Sequence, residues 1–225
     1  MAKLIITINY FYLFKTIIRI FLYLFSNTKR YSNLLFYILL YRPKSILEIG
    51  VYDGRRALQM IEAAKIFNNR INYYGFDLFE DFSKFSNILE KELSKKPKNQ
   101  FVIKNNLRRI ANVILYKGFT KKTLKNFTKN NSAKIDFVFI DGGHSIKTIK
   151  NDWMYVKRII HKRSVTIFDD YYLKNNQLTK LYGCNKIIND LGNNFKFRKL
   201  PFTDKFFNKK KYKFIKMIKV SSVKT

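Results

Sequence analysis

The residues best suited to chemistry stand at four points: Glu48-Ile-Gly50-Val-Tyr52-Asp-Gly54, Asp77, Asp141-Gly-Gly-His144 and Asp169-Asp170. Each follows a short apolar run. Gly50 and Gly54 lie four residues apart, ahead of a helix-like pattern that begins at Arg56-Ala-Leu-Gln-Met-Ile. Strand, glycine turn and helix in that order suit a nucleotide-type ligand, because glycine lets the backbone turn sharply and approach the ligand closely. An imidazole in such a crevice has an ordinary pKa near 6.5 and suits a general base, which is the role open to His144. Blander roles remain open. The glycines could form a tight turn with no ligand, Asp77 could cap a helix, and His144 could be a loop residue bonded to backbone.

The elements that must position these residues alternate in type. Arg42-Pro43-Lys44 breaks a helix at Leu34–Tyr41 and leads into a first strand at Ser45–Ile49. Helical periodicity over 55–67 runs through Leu58, Ile61, Ala64 and Ile66. A second strand, Ile71–Phe76, stops at Asp77. Residues 79–100 read as an inserted loop and helix, with helical signal resuming near Phe101–Ile110. A third strand, Asn112–Tyr116, ends at Gly118, and a basic helix follows at Lys121–Thr128. Ile135–Asp141 is the strongest strand, closed by Gly142-Gly143. An amphipathic helix over 145–161 uses Ile146, Ile149, Trp153 and Val156, with Trp153 expected in the core. Ser164–Phe168 is a buried strand closed by Asp169-Asp170. A helix near Leu178–Leu191 leads to strands at Phe195–Leu200 and Tyr212–Val220. Gly183-Cys184-Asn185 reads as a turn, with an inert thiol.

Such alternation predicts an α/β fold: a doubly wound, mostly parallel, seven-stranded sheet with a helical extension at the N-terminus. Residues 1–41 read as that extension and 42–225 as the domain. The carboxyl ends of the strands then lie on one edge, gathering Glu48, Asp77, Asp141, Asp169 and Asp170 with backbone N–H groups around one crevice.

Composition sets limits. A chain of 225 residues with 47% hydrophobic and 27% charged content is globular. The single cysteine, Cys184, excludes an intrachain disulfide and fits a reducing, cytoplasmic compartment. Neither His144 nor His161 has a second ligand at zinc spacing, and His161 is expected to be solvated. The net charge of +30 admits nucleic acid, anionic lipid or acidic glycan as partners. The lysines are scattered, however, and no nucleic-acid motif is present, which disfavours nucleic acid.

Glu48-x-Gly50-x-x-x-Gly54 has an acid before its first glycine and lacks the full dinucleotide fingerprint, which favours S-adenosylmethionine over NAD. With Asp77 and Asp141 at the ends of the second and fourth strands, the chain resembles class I S-adenosylmethionine-dependent methyltransferases. Asp136-Phe-Val-Phe-Ile-Asp-Gly-Gly-His-Ser145, Asp152-Trp153 and Ile167-Phe-Asp-Asp-Tyr171 look like the branch of small-molecule and sugar O-methyltransferases of the macrocin type. The resemblance spans about residues 40–220. It implies that Gly50 and Gly54 frame the turn beneath the cofactor. Glu48 would orient that turn or meet the methionine ammonium, and Asp77 would hold the ribose hydroxyls. Leu78 and Phe119 would flank the adenine. Many relatives carry glycine where this chain has Tyr52, which would pack over the methionine end or reshape the turn. Asp141 would touch the cofactor. It also implies that Asp141, Asp169 and Asp170 hold Mg²⁺ or Mn²⁺, which would lower the pKa of an acceptor hydroxyl. His144 and Asp141 are the catalytic candidates, and the acceptor is expected to be a small molecule or glycan. The last strand would run antiparallel, as in that family.

Residues 4–25 are apolar but interrupted by Lys15 and Arg19, whose burial in mid-membrane would cost roughly 2.5–3.5 kcal/mol each. Tyr12, Lys15, Thr16, Arg19 and Tyr23 fall on one helical stripe. The segment therefore packs on the domain or lies at a membrane surface. No small-residue cleavage site follows, which argues against a signal peptide. Two other readings stay open: a nucleic-acid methyltransferase, and a membrane-surface protein whose cofactor site has lapsed. The first lacks an Asn-Pro-Pro-Tyr-type motif after the fourth strand.

Overall fold

The computed structural model describes residues 14–25, 28–82, 97–130, 134–173, 177–208 and 211–223. Tyr12 of the N-terminal stripe and residues 83–96 of the expected insertion lie outside them. Helix α1 covers residues 14–24. After a 3-10 turn at Lys29–Tyr31, α2 (Ser32–Tyr41) ends where Arg42 adopts a left-handed conformation just before Pro43. There follow β1 (Ser45–Ile49), α3 (Arg55–Lys65), β2 (Asn72–Asp77) and α4 (Gln100–Leu107). Next come β3 (Asn112–Lys117), α5 (Thr120–Asn130), β4 (Ile135–Ile140), α6 (Ile146–Ile159) and β5 (Ile160–Tyr172). The chain ends with a short α7 (Asn185–Asn189), β6 (Phe195–Asn208) and β7 (Lys211–Ser222).

The seven strands form one sheet in the order β3-β2-β1-β4-β5-β7-β6. β1 to β5 pair in parallel, and β7 runs antiparallel between β5 and β6. The expected doubly wound sheet with an antiparallel last strand is therefore present. Alternate residues of each central strand point to opposite faces, and both faces are covered. This is why these strands read as unbroken apolar runs rather than alternating ones. Ile46, Tyr73, Phe137 and Ile167 join Ile20, Leu34, Met60 and Ile103 of α1 to α4 in one core. Leu47, Phe76, Ile140 and Phe168 join Phe127, Trp153 and Ile187 of α5 to α7 in the other. The described part of residues 1–41 thus shares the core of the sheet.

Several boundaries differ from the sequence reading. The helix expected near Leu178–Leu191 is a 3-10 turn at Gln177–Lys180 followed by α7, split by Gly183 at φ 84°. β5 begins four residues before Ser164, with no loop after α6. β6 and β7 exceed their apolar signal because they form one long hairpin, whose outer positions carry lysine. His161 is half-buried and lies within β5. Its Nε2 lies 3.1 Å from Asp136 Oδ1, and its Nδ1 accepts from the Arg163 amide at 3.1 Å.

Candidate active site

Register places the chemistry-bearing residues level with one another. Ile49 pairs with both Phe76 and Ile140, and Ile140 with Phe168. Gly50, Asp77, Asp141 and Asp169, each the next residue, therefore emerge together at the carboxyl edge of four adjacent strands.

The β1 turn is pressed hard against β4. A Cβ on Gly50 (φ 92°) would lie 2.0 Å from the Asp141 carbonyl oxygen. Gly54 adopts φ 78° and Tyr52 φ 52°. A left-handed non-glycine residue costs roughly 1–2 kcal/mol, and Asp77 offsets that at Tyr52. Its Oδ2 accepts from the Tyr52 amide at 2.8 Å, while its Oδ1 accepts from the Phe79 amide at 2.9 Å. Burial pushes the Asp77 carboxyl above its usual range, and these amides oppose that shift. The Val51 and Leu78 amides act on the same carboxylate, so Asp77 is an acid set among backbone N–H groups at the end of β2. Leu78 is half-buried behind it, and Phe119 stands exposed just beyond the end of β3.

Glu48 does not open onto the crevice. It is fully buried beneath the turn and accepts a hydrogen bond from the Tyr73 hydroxyl. Burial raises its carboxyl to about 8. Its Oε1 is buried with no hydrogen-bond partner among the described residues. Glu48 thus fits the role of orienting the turn from below rather than meeting an ammonium directly.

Across the edge, the acids of β4 and β5 divide into two sets. Asp169 is held by Arg30 through three close contacts: Nε to both carboxylate oxygens at 2.9 and 3.0 Å, and Nη2 to Oδ2 at 2.8 Å. Burial works against its charge, but Arg30 overrides this and keeps the Asp169 carboxyl below its usual range. Arg30 Nη1 also reaches Asp204 of β6 at 2.9 Å. Asp169 is therefore not a free metal ligand, and the expected triad of Asp141, Asp169 and Asp170 is not what the fold assembles. Asp141, His144 and Asp170 are gathered instead, with ligand atoms within 4.8 Å of one another.

Asp170 sits in the bulge where β5 shifts register against β7, at φ 58°. His144 Nε2 lies 3.4 Å from its Oδ2. The Gly183-Cys184 turn ties both down: the Gly183 amide donates to the His144 carbonyl at 2.8 Å, and the Cys184 amide to the Asp170 carbonyl at 3.1 Å. A side chain at Gly183 would meet that carbonyl at 2.6 Å. Cys184 is buried, and burial pushes its thiol well up, so it is inert as expected. Asp141 accepts from the Tyr31 hydroxyl at 2.9 Å. Burial and the nearby charges of Asp169 and Asp170 drive the Asp141 carboxyl well above its usual range, against Arg30 and Tyr31.

Sequence reasoning missed Arg30, Tyr31, Arg56 and Asp204. Two guanidinium groups lie over the Tyr31 ring, Arg30 at 4.5 Å and Arg56 at 4.0 Å from its centroid. The sequence shows no cation near Asp141–His144 or Phe168–Tyr172, and the cation that matters is 139 residues from Asp169. One signal was present: two adjacent buried acids in so basic a chain call for a buried partner.

A topology of this kind, with glycine turn and acids at one edge, defines a class I methyltransferase fold. A family model described as methyltransferase domain matches residues 47–171. The chain belongs to that family and is a methyltransferase enzyme of the class I, S-adenosylmethionine-dependent type. No curated protein matches it in sequence. Solved structures share its fold at low identity. The O-methyltransferase TomG of Streptomyces achromogenes, involved in tomaymycin synthesis and in complex with S-adenosylmethionine, is 12% identical with a TM-score of 0.57; the match covers 88% of this chain and 82% of that one. An O-methyltransferase from Bacillus cereus in complex with S-adenosylhomocysteine is 13% identical with a TM-score of 0.56, covering 94% and 90%. A methyltransferase of Podospora anserina bound to S-adenosylhomocysteine is 16% identical with a TM-score of 0.52, covering 88% and 80%.

Proposed function

We propose that the enzyme methylates a hydroxyl oxygen of a small polar acceptor, a sugar or similar molecule. The observation that carries this reading is the position of Asp141. It is a carboxylate with raised proton affinity, one register step from the Gly50 turn, facing His144 and Asp170. S-adenosylmethionine supplies a sulfonium-bound methyl group. The Gly50–Gly54 turn would bring bare backbone to that ligand, and Asp77 would accept from the ribose diol. Leu78 and Phe119 would flank the adenine, and Tyr52 would cover the methionine end. Asp141 would take the proton of the acceptor hydroxyl, with His144 as the second base. A carboxylate whose proton affinity is raised suits this task better than an ordinary one, and positioning would supply much of the rate.

The donor set Asp141, His144 and Asp170 also fits a divalent cation. With an imidazole replacing Asp169, it favours Mn²⁺ over Mg²⁺. Bound there, the ion would lower the pKa of the acceptor hydroxyl. The O-methyltransferase TomG, which shares the fold, supports an oxygen acceptor by analogy, while no nucleic-acid motif supports an acceptor in nucleic acid.

Labelled methyl transfer from S-adenosylmethionine to a panel of sugars and phenols, with and without a chelator, tests this reading. Transfer to a hydroxyl acceptor that disappears in Asp141→Asn supports it. Transfer to nitrogen or carbon acceptors alone contradicts it.

A further inference from the structure

Helix α1 is turned the wrong way round for a core helix. Thr16 and Ile20 are buried against the domain, and Arg19 and Tyr23 bond Glu62 of α3 at 2.8 and 3.0 Å. Of the mixed stripe, Thr16 is buried and Tyr23 half-buried, while Lys15 and Arg19 stay exposed, with Arg19 reaching Glu62 from the rim. The outward face carries Phe14, Ile17, Ile18, Phe21, Leu22 and Phe25, from 42% to 71% exposed. Their spacing of three and four residues is that of one continuous helical stripe. Scattered exposed apolar residues are ordinary, but a contiguous stripe marks an interaction surface.

Charge selects the occupant. No Asp or Glu occurs before Glu48, while Lys3, Lys15, Lys29, Arg42 and Lys44 precede it, besides Arg19 and Arg30, which are paired with acids of the domain. A second copy of a chain carrying +30 would bring like charge against like. No helix among the described residues is long and apolar enough to cross a membrane. An apolar face on a short helix in a strongly basic, acid-free segment is the pattern of a helix that lies in the plane of an anionic lipid surface.

We propose that residues 14–25 dock the enzyme on anionic membrane through the stripe from Phe14 to Phe25. The test is co-sedimentation of the full chain with phosphatidylcholine vesicles, with and without phosphatidylglycerol. Salt at about 0.5 M suppresses purely electrostatic adhesion, because the Debye length is then only a few ångströms. At low salt the parent is expected to pellet with the anionic vesicles and to favour them over neutral ones, and at about 0.5 M salt to keep a residual partition that depends on the apolar stripe. Ile17→Glu with Phe21→Glu should lower that partition at least roughly tenfold, with thermal unfolding and S-adenosylmethionine affinity unchanged. If that pair does not fold, Phe14→Ser with Leu22→Ser reads the same loss. A parent that stays in the supernatant, equal partition onto both vesicle types, or undiminished binding by a folded variant overturns the proposal. So does light scattering that shows a dimer in the parent and a monomer in the variant, which would assign the stripe to a second copy.

Discussion

Replacing Arg30 with methionine is the sharpest perturbation of the site's framework. The guanidinium lies between Asp169 and Asp204, and the three side chains are 9%, 1% and 10% exposed. Methionine keeps much of the stem's packing but leaves two acids without their cation. Removing one member of a buried ion pair costs about 3–5 kcal/mol, most of it from the charge left behind. For a chain of this size, that lowers Tm by roughly 6–20 °C. The pH dependence has a definite sign. Arg30 holds the folded-state pKa of Asp169 below its unfolded value. The stabilisation is therefore present above the unfolded pKa, about 3.9, and is lost as pH falls through the folded value. The deficit of Arg30→Met should be full at neutral pH and shrink on acidification, as the stranded carboxyls take up protons. Urea unfolding of the parent, Arg30→Met, Asp169→Asn and the double variant closes a cycle. A coupling energy below about 0.5 kcal/mol would refute the pairing, as would a deficit that does not change with pH.

Two further substitutions probe the crevice. Tyr31→Phe removes a hydrogen bond that favours ionised Asp141. The Asp141 pKa should rise further, and the acid limb of a pH–rate profile should move to higher pH; an unmoved limb would remove Asp141 from proton transfer. Gly50→Ala puts a methyl 2.0 Å from the Asp141 carbonyl oxygen, so the turn must shift. S-adenosylmethionine binding by calorimetry should be lost along with at least roughly 2 kcal/mol of stability, and a variant that binds like the parent would contradict the packing described.

The order of elements was legible because each central strand is apolar on both faces and each ends at an acid or glycine. Those turns placed Gly50, Asp77 and Asp141 correctly on one edge. The partner of Asp169 was not legible. Arg30 lies in Ser26-Asn27-Thr28-Lys29-Arg30, which reads as a connector, and no local pattern ties it to β5 or β6. The exchange of Asp169 for His144 in the acidic cluster follows from that one ion pair. Likewise, the anchoring of α1 through Arg19 and Tyr23 depends on Glu62 of α3, a contact that periodicity within α1 does not reveal.

Titration of S-adenosylmethionine into the parent and Asp77→Ala by calorimetry tests the central claim most directly. The parent should bind one equivalent. Loss of a charge-assisted hydrogen bond worth about 1.5–3 kcal/mol should weaken Asp77→Ala by roughly ten- to more than a hundredfold. A parent that shows no binding, or an Asp77→Ala variant that binds as tightly as the parent, would contradict the assignment of this edge as the cofactor site.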